Sequence, residues 1–194
     1  MFNRGIFVFI VSGFILLAAL VDLRAQSLPA KHISKQESIW LGFISQTRVS
    51  DKFGIWTDLH LRMTDQFTNR MGTEIYRFGG TYYISDNIRA SLGYAHVRHH
   101  IAKDGLIRPE HRPWQQIQWY NNYQKANTMQ WFRFEQQFLR DMENGIMNDD
   151  YGLTMRFRYN FNHFYPLTGH KIETGTPFTV LNNELHINMG NNVV

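Results

Sequence analysis

The stretch at residues 53–63, Phe53-Gly54-Ile55-Trp56-Thr57-Asp58-Leu59-His60-Leu61-Arg62-Met63, decides the fold. Phe53, Ile55, Thr57, Leu59, Leu61 and Met63 share one parity, and Gly54, Trp56, Asp58, His60 and Arg62 share the other. A strand sends successive side chains to opposite faces, so this two-residue period separates an apolar face from a polar one. On a helix, Asp58, His60 and Arg62 would scatter around the circumference.

Outward from this stretch the period repeats. At 150–161, Tyr151, Leu153, Met155, Phe157, Tyr159 and Phe161 oppose Asp150, Gly152, Thr154, Arg156, Arg158 and Asn160. At 128–140, Phe132, Phe134 and Phe138 oppose Arg133, Glu135 and Gln137. Weaker copies lie at 36–48, 72–84, 88–99, 110–123 and 178–189. The fold class is therefore all-β, with about eight strands in an antiparallel up-and-down β-barrel. Turn residues predict short connections at 50–52, 85–87 and 125–127. Longer ones are predicted at 64–71, 100–109 and 141–149, and the longest at 162–177.

Composition narrows the class. Charged residues make up 19% and aromatics 15% of 194 residues. A helical membrane bundle would need several long apolar runs, and a disordered chain would lack the aromatics. The formal net charge is +4, but the arginines are spread through the strands among glutamates and aspartates. With no basic run or stripe, nucleic acid is not an expected partner. Without cysteine there is no disulfide and no thiolate chemistry. Residues 1–25 read as a secretory signal, with Arg4 ahead of an apolar run over 6–21 and Ala25 before the cut at Gln26. That leaves 26–194 as a single β-barrel domain.

The apolar faces can point inward, as in a soluble barrel, or outward to lipid. Strands of ten to thirteen residues match the roughly nine to eleven that a tilted membrane strand needs. Tyr82, Tyr94, Trp119, Tyr120, Tyr151, Tyr159 and Tyr165 are expected near strand ends, as in an interfacial girdle. Glycines and opposite charges share the polar faces, which suits a packed lumen. These features predict a cell outer membrane location in a Gram-negative envelope, with membrane lipid and the barrel-assembly machinery as partners. One pattern opposes it: with a periplasmic N-terminus, the three longer connections would be periplasmic, the reverse of the usual arrangement.

Several segments resemble an exported bacterial family catalogued as domain of unknown function 2490. The most specific are Glu110-His111-Arg112-Pro113-Trp114-Gln115-Gln116 and Arg133-Phe134-Glu135-Gln136-Gln137-Phe138. Arg77-Phe78-Gly79-Gly80-Thr81-Tyr82, Gly93-Tyr94-Ala95, Arg156-Phe157-Arg158-Tyr159 and Asn183-Glu184-Leu185 add to it. The resemblance implies an outer-membrane-barrel-like fold and carries no assigned activity. It also implies further strands after the Asn-Glu segment and a terminal aromatic residue, so a chain ending at Val193-Val194 is expected to be truncated.

Two groups of residues are candidate sites. Arg62, Arg77, Glu110, Arg112, Arg133, Glu135, Arg156 and Arg158 lie on polar faces and form an expected interior charge network. It can line a pore or plug a narrow lumen with paired charges. Glu110, Arg112, Arg133 and Glu135 are its expected centre, on neighbouring strands joined by a short turn. His96, His99, His100 and His111 flank one loop, where a hydrolase base or metal ligands could sit with Glu110 and Ser91 as partners. Their spacing matches no metal or catalytic motif. The expectation is a non-enzymatic outer-membrane barrel, structural or a narrow channel, with no cofactor and no metal. The alternatives are a lipid-modifying outer-membrane enzyme and a soluble periplasmic barrel binding an apolar ligand.

Overall fold

The computed structural model describes residues 37–101, 105–123 and 125–190. The signal segment expected over 1–25 and the final Val193-Val194 lie outside the described residues. Eight strands follow one another: β1 (Ser38–Arg48), β2 (Phe53–Thr64), β3 (Arg70–Tyr83), β4 (Ile88–His100), β5 (Ile107–Tyr123), β6 (Ala126–Glu143), β7 (Ile146–Pro166) and β8 (Phe178–Gly190). Each pairs antiparallel with the next, in chain order, within one sheet. No helix occurs among the described residues.

The sheet curls into a half-barrel. Residues on strands that are not neighbours meet across its concave side. Trp56 on β2 packs edge-on against Trp114 on β5, with ring centroids 5.3 Å apart. Arg77 on β3 reaches Glu135 on β6 at 3.5 Å. Strand twist supplies the curvature, and small residues let the sheet close up. Gly79 on β3 and Gly93 on β4 face each other in the ladder. A Cβ on Gly79 would lie 2.6 Å from the Leu92 carbonyl oxygen and 2.7 Å from the Trp114 ring. Only glycine leaves room there for the buried indole. Its neighbour Gly80 points the other way, into open space.

No ladder joins β1 to β8 among the described residues, and both strands are exposed along nearly their whole length. Their inward side chains nevertheless border one cavity of about 950 Å³, to which all eight strands contribute.

The polarity is inverted relative to a soluble protein. On the concave side, Asp58, Arg77, Glu110, Arg112, Arg133, Glu135 and Asn160 are buried. On the convex side, Phe43, Ile55, Phe78, Leu92, Ile117, Phe132, Phe157 and Leu185 are exposed. Leu92 is 68% exposed while Glu135 is completely buried. The apolar parity of 53–63 thus faces outward and the charged parity inward.

Three local expectations need correction. The connection predicted at 141–149 is instead a two-residue turn, Asn144-Gly145, because both residues take positive φ (50° and 85°). An Asn-Gly pair in this conformation matches the strand twist and closes a hairpin directly. Secondly, Tyr120 does not belong to an outer girdle. Its hydroxyl is inside, accepting from Gln118 at 2.8 Å and from the Arg89 guanidinium. Thirdly, Tyr94 and Tyr159 lie in the middle of β4 and β7 and not near their ends.

Candidate functional site

The eight arginines and glutamates predicted to point inward all lie on the concave face, and seven of them join one ion-pair network. Its centre is Glu135 on β6, opposite Trp114 on β5 and Arg156 on β7. Arg156 Nε donates to Glu135 Oε2 at 2.8 Å. The guanidiniums of Arg77 and Arg158 each come within 3.5 Å of Glu135 Oε1 and Arg133 within 3.7 Å of it, and Arg112 comes within 4.0 Å of Oε2. Five guanidiniums thus surround one carboxylate that water does not reach. Burying either sign alone is costly, and mutual pairing offsets that cost only when each group is well bonded.

Further acids complete the pairing. Glu110 accepts from Arg112 Nε at 2.6 Å and meets His99 Nε2 at 2.8 Å. Asp58 pairs with Arg77 and with His60. Glu184 on β8 accepts from Arg158 Nε at 2.6 Å. Arg133 Nε donates to Gln116 at 2.8 Å. With its amide oxygen turned toward the guanidiniums, Gln137 accepts from Arg112 at 3.0 Å and Arg156 at 3.1 Å.

Tryptophans wrap the arginines. The Arg133 guanidinium sits 5.0–5.4 Å from the ring centres of Trp56, Trp114 and Trp131, and Arg158 sits 5.3 Å from Trp131. These are cation–π contacts in a desolvated setting, where they are strongest. Asp58, Glu184 and the tryptophans were not singled out as site residues from sequence. The signal was present: Asp58 shares its parity with His60 and Arg62, and Trp56 interrupts the polar face of the deciding stretch.

Arg62 is the eighth predicted member, and it stands apart. It lies over the Trp40 ring at 4.5 Å and has no carboxylate partner among the described residues.

The histidines do not gather into one site. His99 points inward to Glu110. His96, His100 and His111 point outward. There His100 Nε2 meets Glu74 at 2.7 Å, alongside donations to Glu74 from Tyr76 at 2.6 Å and Arg98 at 3.0 Å. His111 contacts the Tyr94 hydroxyl and lies 5.4 Å from His96, ring to ring. The sheet therefore divides the four, because parity puts His99 and its neighbour His100 on opposite faces. Ser91, a conceivable partner, is buried against Thr81 at 2.8 Å.

Fold and site define a β-barrel-like sheet protein with a charged interior and an apolar exterior. The chain matches the family described as Protein of unknown function (DUF2490) over residues 37–194, and it belongs to that family. No curated protein and no solved structure matches it.

Proposed function

We propose that this chain is a non-enzymatic β-barrel protein of the Gram-negative outer membrane, and that the network around Glu135 braces its lumen as a structural plug. The inversion of polarity carries this reading. A soluble barrel hides its apolar face and solvates its charges, whereas here the apolar face is outermost and Glu135 innermost. The large exposed apolar side chains would be a heavy liability in water. Facing hydrocarbon they are at home. An apolar groove of about 800 Å³ on that outer face, walled by Phe53, Tyr82, Leu92, Ile117 and Phe132, has the dimensions and chemistry for lipid chains.

The two-residue turn at Asn144-Gly145 removes one of the three longer connections expected at the Ser38 end of the sheet, while those after β2 and β4 stay there. The connection over 167–177 is the longest among the described residues and lies at the end of the sheet opposite Ser38. With a periplasmic N-terminus it is extracellular, as usual for such barrels. A lumen rich in guanidinium groups does not suit the apolar cargo of a soluble carrier. In lipid, the edges β1 and β8 must be paired, since unpaired backbone groups are not tolerated in hydrocarbon.

Membrane fractionation tests the location. Recovery in the outer-membrane fraction, extractable by detergent but not by high salt, is expected. Recovery in the soluble periplasm would overturn it. Planar-bilayer recording separates plug from channel: the plug gives no steady conductance.

A further inference from the structure

The lumen holds more positive charge than its acids neutralise. Seven arginines border the 950 Å³ cavity: the six of the predicted network plus Arg89. Against them stand the carboxylates of Asp58, Glu110 and Glu184 on the cavity wall and of Glu135 behind it. Seven less four leaves three guanidiniums uncompensated among the described residues. Most of the arginines converge on Glu135, so the surplus is concentrated at the two without any carboxylate partner among the described residues, Arg62 and Arg89. Arg62 is the more telling. It is half-buried, Trp40 covers one face, and Arg112, Arg158 and Arg77 repel it, each more strongly than Asp58 attracts it. Protein chains do not concentrate like charges in a partly desolvated cavity unless something opposes them.

A second observation points the same way. Trp56 Nε1, Arg77 Nε and Arg89 Nε are buried without a protein acceptor, and all three residues border the cavity. All three are donors, and the one acceptor oxygen similarly placed on the cavity wall, Asp58 Oδ1, is met by His60. A cavity with surplus positive charge and spare N–H groups calls for a solute that is negative and rich in acceptors. Guanidinium forks match planar or tetrahedral oxyanions bidentately, and the indole faces offer a surface for a small organic body. A cation would meet repulsion, and an apolar solute would strand the donors.

We propose that the lumen is a binding site for a small oxyanion-bearing solute, of the phosphate, sulfate or carboxylate class, anchored at its Trp40 side by Arg62. This site does not depend on the membrane reading, since purified protein from either the membrane or the soluble fraction can be tested.

The experiment titrates the full chain with sulfate and with inorganic phosphate and follows its thermal midpoint. Chloride at matched ionic strength removes simple screening. A saturable rise with sulfate or phosphate, absent with chloride, is expected. Arg62→Gln should weaken it by about tenfold or more, the loss of a charge-assisted hydrogen-bond pair. Arg98→Gln removes the same charge from the outer face and should leave it unchanged. Equal responses to sulfate, phosphate and chloride would overturn the proposal, and so would undiminished binding in Arg62→Gln. If that variant does not fold, Arg62→Lys keeps the charge without the fork. Weaker sulfate binding by folded Arg62→Lys supports the site, and unchanged binding overturns it.

Discussion

The two faces of the sheet are built from the same strands yet obey opposite rules. On the concave face, side chains are held by specific partners: Glu135 has five guanidiniums within 4.0 Å, and Gly79 has its size fixed by the Trp114 ring. On the convex face, side chains such as Leu92 and Phe78 touch little and mainly need to be apolar. Where the convex face does carry polar groups, they satisfy one another. Gln115 and Gln136 exchange amide hydrogen bonds at 3.0 and 3.4 Å, and Glu74 is closed off by Tyr76, Arg98 and His100. The concave face therefore specifies the structure, and the convex face specifies its surroundings. Substitutions on the first should act through particular contacts. Substitutions on the second should act through the solvent.

The strongest way to break the concave face is Glu135→Gln. The amide keeps the volume but removes the charge that five arginines share, and Arg133 and Arg156 are left with no other carboxylate partner. Uncompensated buried charge costs on the order of 3–5 kcal/mol. The folded form should lose its resistance to unfolding in urea and its heat-dependent shift on gels. An unchanged urea midpoint would mean that the network is ornamental.

The convex face is probed by Leu92→Arg. Leu92 lies in the apolar groove, mid-strand on β4. In a bilayer an outward arginine near mid-depth costs about 2–4 kcal/mol. In water it would cost roughly 0.5 kcal/mol or less, as surface changes do. Folding titrations in lipid vesicles and in mild detergent measure the difference directly. Equal, small effects in both would place this face in water.

Gly79→Ala returns to the concave side with a smaller expected effect. The added methyl meets the Leu92 carbonyl and the Trp114 ring, so the β3–β4 pair must part or the indole must shift. Overpacking of this kind costs about 1–3 kcal/mol. Gly80→Ala, one residue along and facing open space, should be nearly silent. The pair separates parity from composition, since the two glycines are otherwise alike. Thermal unfolding of both variants makes the comparison.

These contrasts explain what the sequence could and could not disclose. Strand positions were legible because the apolar parity is unbroken through residues 53–63 and 150–161, and the family resemblance rested on residues that prove to be inward neighbours, such as Arg112 and Glu135. Parity names the face of each side chain, and the structure places Glu110 and Arg112 on the same face as Arg133 and Glu135. Parity cannot report curvature. Trp56 meeting Trp114, or Arg77 reaching Glu135, depends on how strongly the sheet curls, and that is a property of all the strands at once. Proximity in sequence also misled: His99 and His100 are adjacent, and the strand sends them to different faces.

The smallest expected effect tests what keeps the two faces apart. The β6–β7 hairpin turns on Asn144-Gly145, and both residues have positive φ. A shift in the ladder between Arg140 and Met142 separates this turn from the register that sets Glu135 opposite Arg156 and Phe134 opposite Phe157. A slip of one residue would exchange the faces of the strand and bring phenylalanines into the lumen. In Gly145→Ala the new methyl meets nothing within 4 Å, so packing contributes no penalty. What remains is the left-handed backbone conformation at φ 85°, which costs an alanine about 1 kcal/mol more than a glycine. Register should survive, because the Glu135–Arg156 pairing and the Phe134–Phe157 stack, with ring centroids 4.5 Å apart, hold it from within the ladder. The expected result is a small fall in thermal midpoint with unchanged cross-strand contacts by crosslinking at positions 134 and 157. A large loss of stability, or a changed crosslinking pattern, would show that the turn and not the charged interior decides which face is which.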